Sequence, residues 1–153
     1  MVRAYTARLC QTLLISAAVL VTASANAQRS ERFGPYELHY NVVNSTVIEA
    51  EVAAQYGIAR GRRRAIVNFS LREHLDTGDA VSRAMNLEGE SWDLTGQRVN
   101  FDFLEVREGP AIYYIGQFKF LNREWRHFSL EFQPEGSEQS YTFEYKQQMY
   151  VNE

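Results

Sequence analysis

The sequence predicts an all-β domain, an immunoglobulin-like sandwich of about seven antiparallel strands. Three observations carry this expectation. Polar and apolar residues alternate along most of the chain beyond Pro35, the period of half-buried strands. Turn-forming clusters at Asp76-Thr77-Gly78-Asp79, Glu108-Gly109-Pro110 and Pro134-Glu135-Gly136 punctuate the alternation at short intervals. Large aromatic side chains are abundant, and they suit the core between two packed sheets. A small closed barrel answers to the same pattern and is the alternative architecture.

The first 27 of the 153 residues read as an export signal. Arg3 and Arg8 give a basic start, and no acidic residue precedes Glu31. Leu13 to Val21 is apolar, and Ala25-Asn26-Ala27 supplies the small residues that a signal peptidase reads. The expected cut lies before Gln28. The apolar stretch is too short to span a bilayer comfortably, so no membrane span is expected once the signal is removed. Residues 28-153 are then one domain with one core. Cys10, the single cysteine, lies inside the signal. The mature chain therefore folds without disulfides and has neither a thiol nucleophile nor a thiolate metal site. That combination fits the periplasm of a Gram-negative bacterium. The signal removes two of sixteen basic residues and none of nineteen acidic ones, leaving fourteen against nineteen, or −5. A mildly acidic domain argues against general binding of nucleic acid.

The strands follow in order. Tyr36, Leu38, Tyr40 and Val42 share one face of the first, and Glu37, His39 and Asn41 the other. Thr46 to Gly57 breaks the alternation. Ile48, Val52 and Tyr56 recur at helical spacing, Thr46 and Glu49 fit a capping box, and Gly57 suits the left-handed C-terminal position. A short helix near residues 47-56 is expected, covering one end of the sandwich. The second strand is Ala65 to Arg72, with Ile66 set against Val67, Phe69 and Leu71. The third is Ala80 to Glu90 and the fourth Gln97 to Arg107. In the fourth, Val99, Phe101 and Phe103 keep one phase while Leu104 and Val106 take the other, which a bulge near Phe103 would reconcile. Ala111 to Leu121 is apolar on both faces and belongs in a central position. Trp125 to Phe132 and Tyr141 to Tyr150 complete the set.

Four segments taken together carry a resemblance: Phe33 to Asn41, Asn44-Ser45-Thr46, Val52 to Ile58 and Arg107 to Tyr114. They resemble a family of small exported proteobacterial proteins named domain of unknown function 4426. The resemblance spans nearly all of the mature chain. It implies a periplasmic β-rich domain and carries no activity or catalytic residues with it.

No motif spells a reaction. Asp76-Thr77-Gly78 matches the short word of aspartic proteases, whose chemistry needs two such aspartates sharing a proton. One copy is present, and Asp79 stands where a small residue belongs, so a hairpin turn is the preferred account. His39, His74 and His127 form no His-x-His or His-x-x-x-His pair, so no metal site is expected and surface roles are preferred. His39 and Glu37 share an outward face and form the pair of most interest. There is no Gly-x-Ser-x-Gly elbow and no phosphate-cradling glycine loop, so no catalytic residue and no cofactor is assigned. Asn44-Ser45-Thr46 and Asn68-Phe69-Ser70 match the glycosylation pattern, which has meaning in a eukaryotic secretory route. Tyr113, Trp125, Tyr145 and Tyr150 could form an exposed patch, although most such rings fill a core.

Arg60-Gly61-Arg62-Arg63-Arg64 is the concentrated charge run. It reads either as an anion-binding edge or as a solvated edge that discourages strand aggregation. The function expected is a non-enzymatic periplasmic binding or interaction module. Its candidate binding residues are Arg62, Arg64, Asn44, His39 and Glu37, and its partner an envelope protein or an anionic envelope component. The alternatives are a small periplasmic hydrolase using His39, Glu37 or Asp76, and an assembly factor that accepts a strand at a sheet edge.

Overall fold

The computed structural model describes residues 29–152; the expected signal and its cleavage site lie outside them. Ten strands form: β1 Arg29–Phe33, β2 Tyr36–Asn44, β3 Arg64–His74, β4 Ala80–Arg83, β5 Met85–Asp93, β6 Arg98–Asn100, β7 Leu104–Glu108, β8 Ala111–Lys119, β9 Glu124–Pro134 and β10 Tyr141–Met149. They make two antiparallel sheets. The first runs β1-β2-β3-β8-β7, with β4 also paired to β3, and the second runs β10-β9-β5-β6. β8 pairs with β3 at Arg64 to Phe69, and β4 pairs with it at Leu71 to His74. The β-sandwich expected from the alternation is therefore present.

The strand count differs from the expected seven for three physical reasons. β1 is short and polar, and it pairs with β2 through the Gly34 turn, where φ is +60°. The expected third strand breaks at Ala84, and its halves enter different sheets as β4 and β5. The expected fourth breaks at Phe101 to Phe103 into β6 and β7, again in different sheets. The phase change at Phe103 is thus a crossing between layers, where a bulge was expected. Glycine makes room for it. A Cβ on Gly116 would lie 2.8 Å from the Phe101 ring and 3.1 Å from the Phe103 ring, and one on Gly89 would lie 2.6 Å from Leu130 Cδ2.

The core lies between the sheets. Leu38, Val67, Phe69, Leu71, Phe128, Leu130 and Phe132 are buried there. Tyr145 stacks on Phe128 with ring centroids 4.6 Å apart, so it serves the core as most rings do. Trp125 and Tyr150 remain exposed.

The helix is shorter than expected. A 3-10 turn at Ser45–Val47 precedes α1, Ala50–Gln55. Glu49 is the N-cap and no side chain caps it, so the Thr46–Glu49 box does not form. The C-terminus is as expected: Gly57 has φ +64°, and Ile58 N–H donates to the Ala53 carbonyl at 2.7 Å. Ala53 and Ile58 pack on Ile66 of β3 beside Ile115 of β8, whereas Val52 faces solvent. This small second cluster explains why β8 is apolar on both faces.

Candidate functional site

The groove with the strongest concentration of unpaired charge opens at the end of the sandwich where β3 begins, β8 ends and β6 starts. It has a volume of about 480 Å³, within the range of small-molecule sites. Arg63, Arg64, Arg98, Lys119 and Arg126 line it, with Val99, Phe120 and Leu121 as its apolar part. Asp93 and Glu124 are its acids.

Those acids are engaged. Glu124 pairs with Arg126 and accepts the Leu121 N–H at 2.8 Å. Asp93 Oδ1 accepts the Thr95 N–H at 2.8 Å, the Thr95 hydroxyl at 2.7 Å and the Gln97 N–H at 3.0 Å, closing the β5–β6 turn. The Thr95 hydroxyl is the largest influence holding the Asp93 carboxyl below its ordinary range. Arg126 is 3% exposed, donates to Ser91 Oγ at 2.9 Å and lies over the Phe118 ring. Arg98 pairs with Glu90 and lies over Trp92. Arg63, Arg64 and Lys119 form no ion pair among the described residues. Arg64 and Lys119 are direct partners in the β3–β8 ladder. Two like charges opposed in a ladder repel, and an anion between them relieves that repulsion.

A buried serine positions the arginine loop. Ser45 is 0% exposed; its hydroxyl accepts the Gly61 N–H at 2.9 Å and donates to the Gly61 carbonyl at 3.1 Å. Arg60 donates to the Thr46 carbonyl, a second tie to the same 3-10 turn. Arg62 sits in the turn before β3 and is exposed, so it does not share a strand face with Arg64. Arg63 takes the lining position instead. Asn44 Nδ2 donates to the Tyr150 carbonyl at 2.8 Å, fastening β2 to the segment that follows β10.

Glu37 and His39 lie elsewhere, on the outer face of the first sheet. Glu37 Oε2 is 2.7 Å from His74 Nε2, and Glu37 Oε1 is 3.7 Å from His39 Nε2. One carboxylate thus gathers two of the three histidines. The Ser30 hydroxyl and then His74 hold the Glu37 carboxyl below its ordinary range, against some desolvation. Both His39 ring nitrogens are buried without a hydrogen-bond partner among the described residues. His127 stacks on Trp92 on the other sheet. Asp76 lies in the expected turn, where Leu75 and Asp79 bond through the backbone and Gly78 has φ +91°. Among the described residues no group of three or more His, Cys, Asp or Glu side chains could hold a metal ion. Nor is any helix among them long and apolar enough to cross a membrane.

Residues 30–152 match the family described as domain of unknown function (DUF4426). The chain belongs to that family. Its fold is similar to a crystal structure of a DUF4426 family protein from Pseudomonas aeruginosa PAO1, at 30% identity and a TM-score of 0.70, over 82% of this chain and 97% of that one. It is also similar in fold to FetP of uropathogenic Escherichia coli strain F11, recombinantly expressed in the periplasm, at 8% identity and a TM-score of 0.60, over 82% and 95% of the two chains. A copper-bound variant of FetP gives 8% identity, a TM-score of 0.57 and coverage of 83% and 92%. The FetP likeness is one of fold. No curated protein matches the sequence.

In this DUF4426 domain the residues that sequence reasoning missed are Arg63, Lys119, Arg98 and Arg126. The last three are far from the arginine run in the chain and reach the groove by strand pairing. The polar outer position of Lys119, after the core-facing Phe118, was the one available signal.

Proposed function

We propose that this DUF4426 domain is a non-enzymatic binding module of the bacterial periplasm, exported by cleavage before Gln28, and that it holds an anionic amphiphile of the envelope. The carrying observation is the Arg64–Lys119 pair, opposed and without an acidic partner among the described residues, beside the apolar Phe120 and Leu121. A phosphate or carboxylate head would sit among Arg63, Arg64 and Lys119, with charge-assisted hydrogen bonds. The attached chain would cover Leu121, which is 60% exposed. Mild net acidity elsewhere keeps the domain from binding polyanions without selection.

The test is titration with dodecyl phosphate below its micellar concentration, beside inorganic phosphate and dodecyl maltoside. Binding of dodecyl phosphate that exceeds both controls, and is lost in Arg64→Glu, supports the proposal. Equal binding by Arg64→Glu, or none by the parent chain, overturns it. A mass of the periplasmic product starting at Gln28 checks the export step.

The hydrolase alternative has less support. No hydroxyl bonds either His39 or His74 among the described residues, and Asp76 belongs to its turn. FetP's copper is not carried over, because the likeness extends to the fold alone.

A further inference from the structure

We propose that the open edge of β5 accepts an extended basic peptide as an added strand. This goes beyond the cationic groove, with which the edge shares no lining residue.

The edge exists because the chain leaves the second sheet early. β6 pairs with β5 at Glu90 to Trp92 alone, and Phe101 N–H makes a last bond to the Gly89 carbonyl at 2.9 Å. Phe103 then crosses to the first sheet. On the same side of β5, Met85 N–H donates to the Tyr114 hydroxyl at 2.9 Å. Main-chain groups of alternate residues point to alternate sides of a strand, so Leu87 turns its N–H and C=O the way Met85 and Gly89 do. Among the described residues no strand lies opposite Leu87 there, while its other side pairs with β9 at Phe132. A bare edge of this kind is a template for another chain.

The surroundings select the occupant. Two adjoining hollows of about 580 and 590 Å³ run along β5 and share Leu87, Glu88 and Glu131. Leu87 and Phe103, both partly buried, give the second its apolar surface, above the buried Met85 and Phe132. Glu88 and Glu131 are direct partners across the β5–β9 ladder, and neither forms an ion pair among the described residues. Glu105 at the rim is already paired with Arg107, so the free negative charge is that of Glu88 and Glu131. Main-chain bonds to Leu87 would give affinity, and alternate side chains would give selection. One row of those side chains should be apolar and the other lysine or arginine.

The test uses an acetylated, amidated peptide of four Lys-Val repeats, the same peptide with one central N-methyl group, and four Glu-Val repeats. Saturable binding of the first is expected, with slowed hydrogen exchange at the Leu87 amide. The N-methyl group should weaken binding about tenfold by removing one main-chain bond. The Glu-Val peptide should bind far more weakly, and Glu88→Lys should reverse that order. Equal binding of the methylated peptide, no preference between the basic and acidic peptides, an unprotected Leu87 amide, or no binding at all would each overturn the proposal. The two peptide controls leave the protein unaltered, so a variant that fails to fold does not rescue it.

Discussion

Arg64 and Lys119 stand directly opposite each other at the end of the β3–β8 ladder, two cations that pair with no acid among the described residues. A protein that needed the pair for stability alone would place opposite charges there. Lys119→Glu should therefore stabilise the domain by about 0.5 kcal/mol, the size of a cross-strand charge pair. The same change should weaken binding of dodecyl phosphate. Urea midpoints and a binding titration on one preparation measure both, and a variant that is both destabilised and fully binding would refute the assignment.

Ser45 satisfies both backbone groups of Gly61 from a fully buried position. Ser45→Ala would leave the partly buried Gly61 N–H without its partner, while the Gly61 carbonyl would keep the Arg64 N–H. The expected cost is about 1–3 kcal/mol, read as a lower urea midpoint. Because Gly61 lines the groove, faster hydrogen exchange at Arg63 and Arg64 should accompany it.

Gly116→Ala should destabilise through overlap. Its Cβ would lie 2.8 Å from the Phe101 ring, which also stacks near Phe128 in the core. Neither ring can withdraw without opening a gap, so a cost of about 1–3 kcal/mol is expected. Calorimetry would measure it, and an unchanged melting temperature would show that the crossing at Phe101 to Phe103 is looser than described.

Glu37 predicts an acid-dependent loss of stability. Its carboxyl titrates below the ordinary 4.5, chiefly because of the Ser30 hydroxyl and then His74. A carboxyl depressed in the fold contributes stability that is full above its unfolded value and lost as pH falls through its folded value. Glu37→Gln should therefore be less stable than the parent at neutral pH, with the gap closing in acid below the ordinary carboxylate range. Urea midpoints measured across that range would show a constant gap if the contacts of the Glu37 carboxylate with Ser30 and His74 contributed nothing.

Some of this protein is written in short stretches of chain. Strand character in β2, β3, β8, β9 and β10 follows from the two-residue alternation, which is a local property. The Gly57 helix end and the Asp76–Gly78 turn are also local, set by backbone conformations that glycine adopts freely. So is the arginine run. Family membership was legible in four short words spread over residues 33–114.

The tertiary structure decided which sheet each strand joined. In sequence Ala84 reads as the middle of an unbroken strand and Phe103 as a strand continuing with a shift in phase, because a bulge and a crossing between layers change the side-chain phase alike. Val52 had the right spacing for a buried helical face, yet Ala53 and Ile58 were buried, since a helix this short is oriented by where β3 and β8 offer apolar surface. The groove needed the same information. Arg64 finds Lys119, and Glu37 finds His74, through ladders that join distant segments, whereas His39 lies two residues from Glu37 on the same strand. Composition and period act along the chain, but charge repulsion, burial and hydrogen bonding depend on distance in space, and that distance is set once the strands have paired.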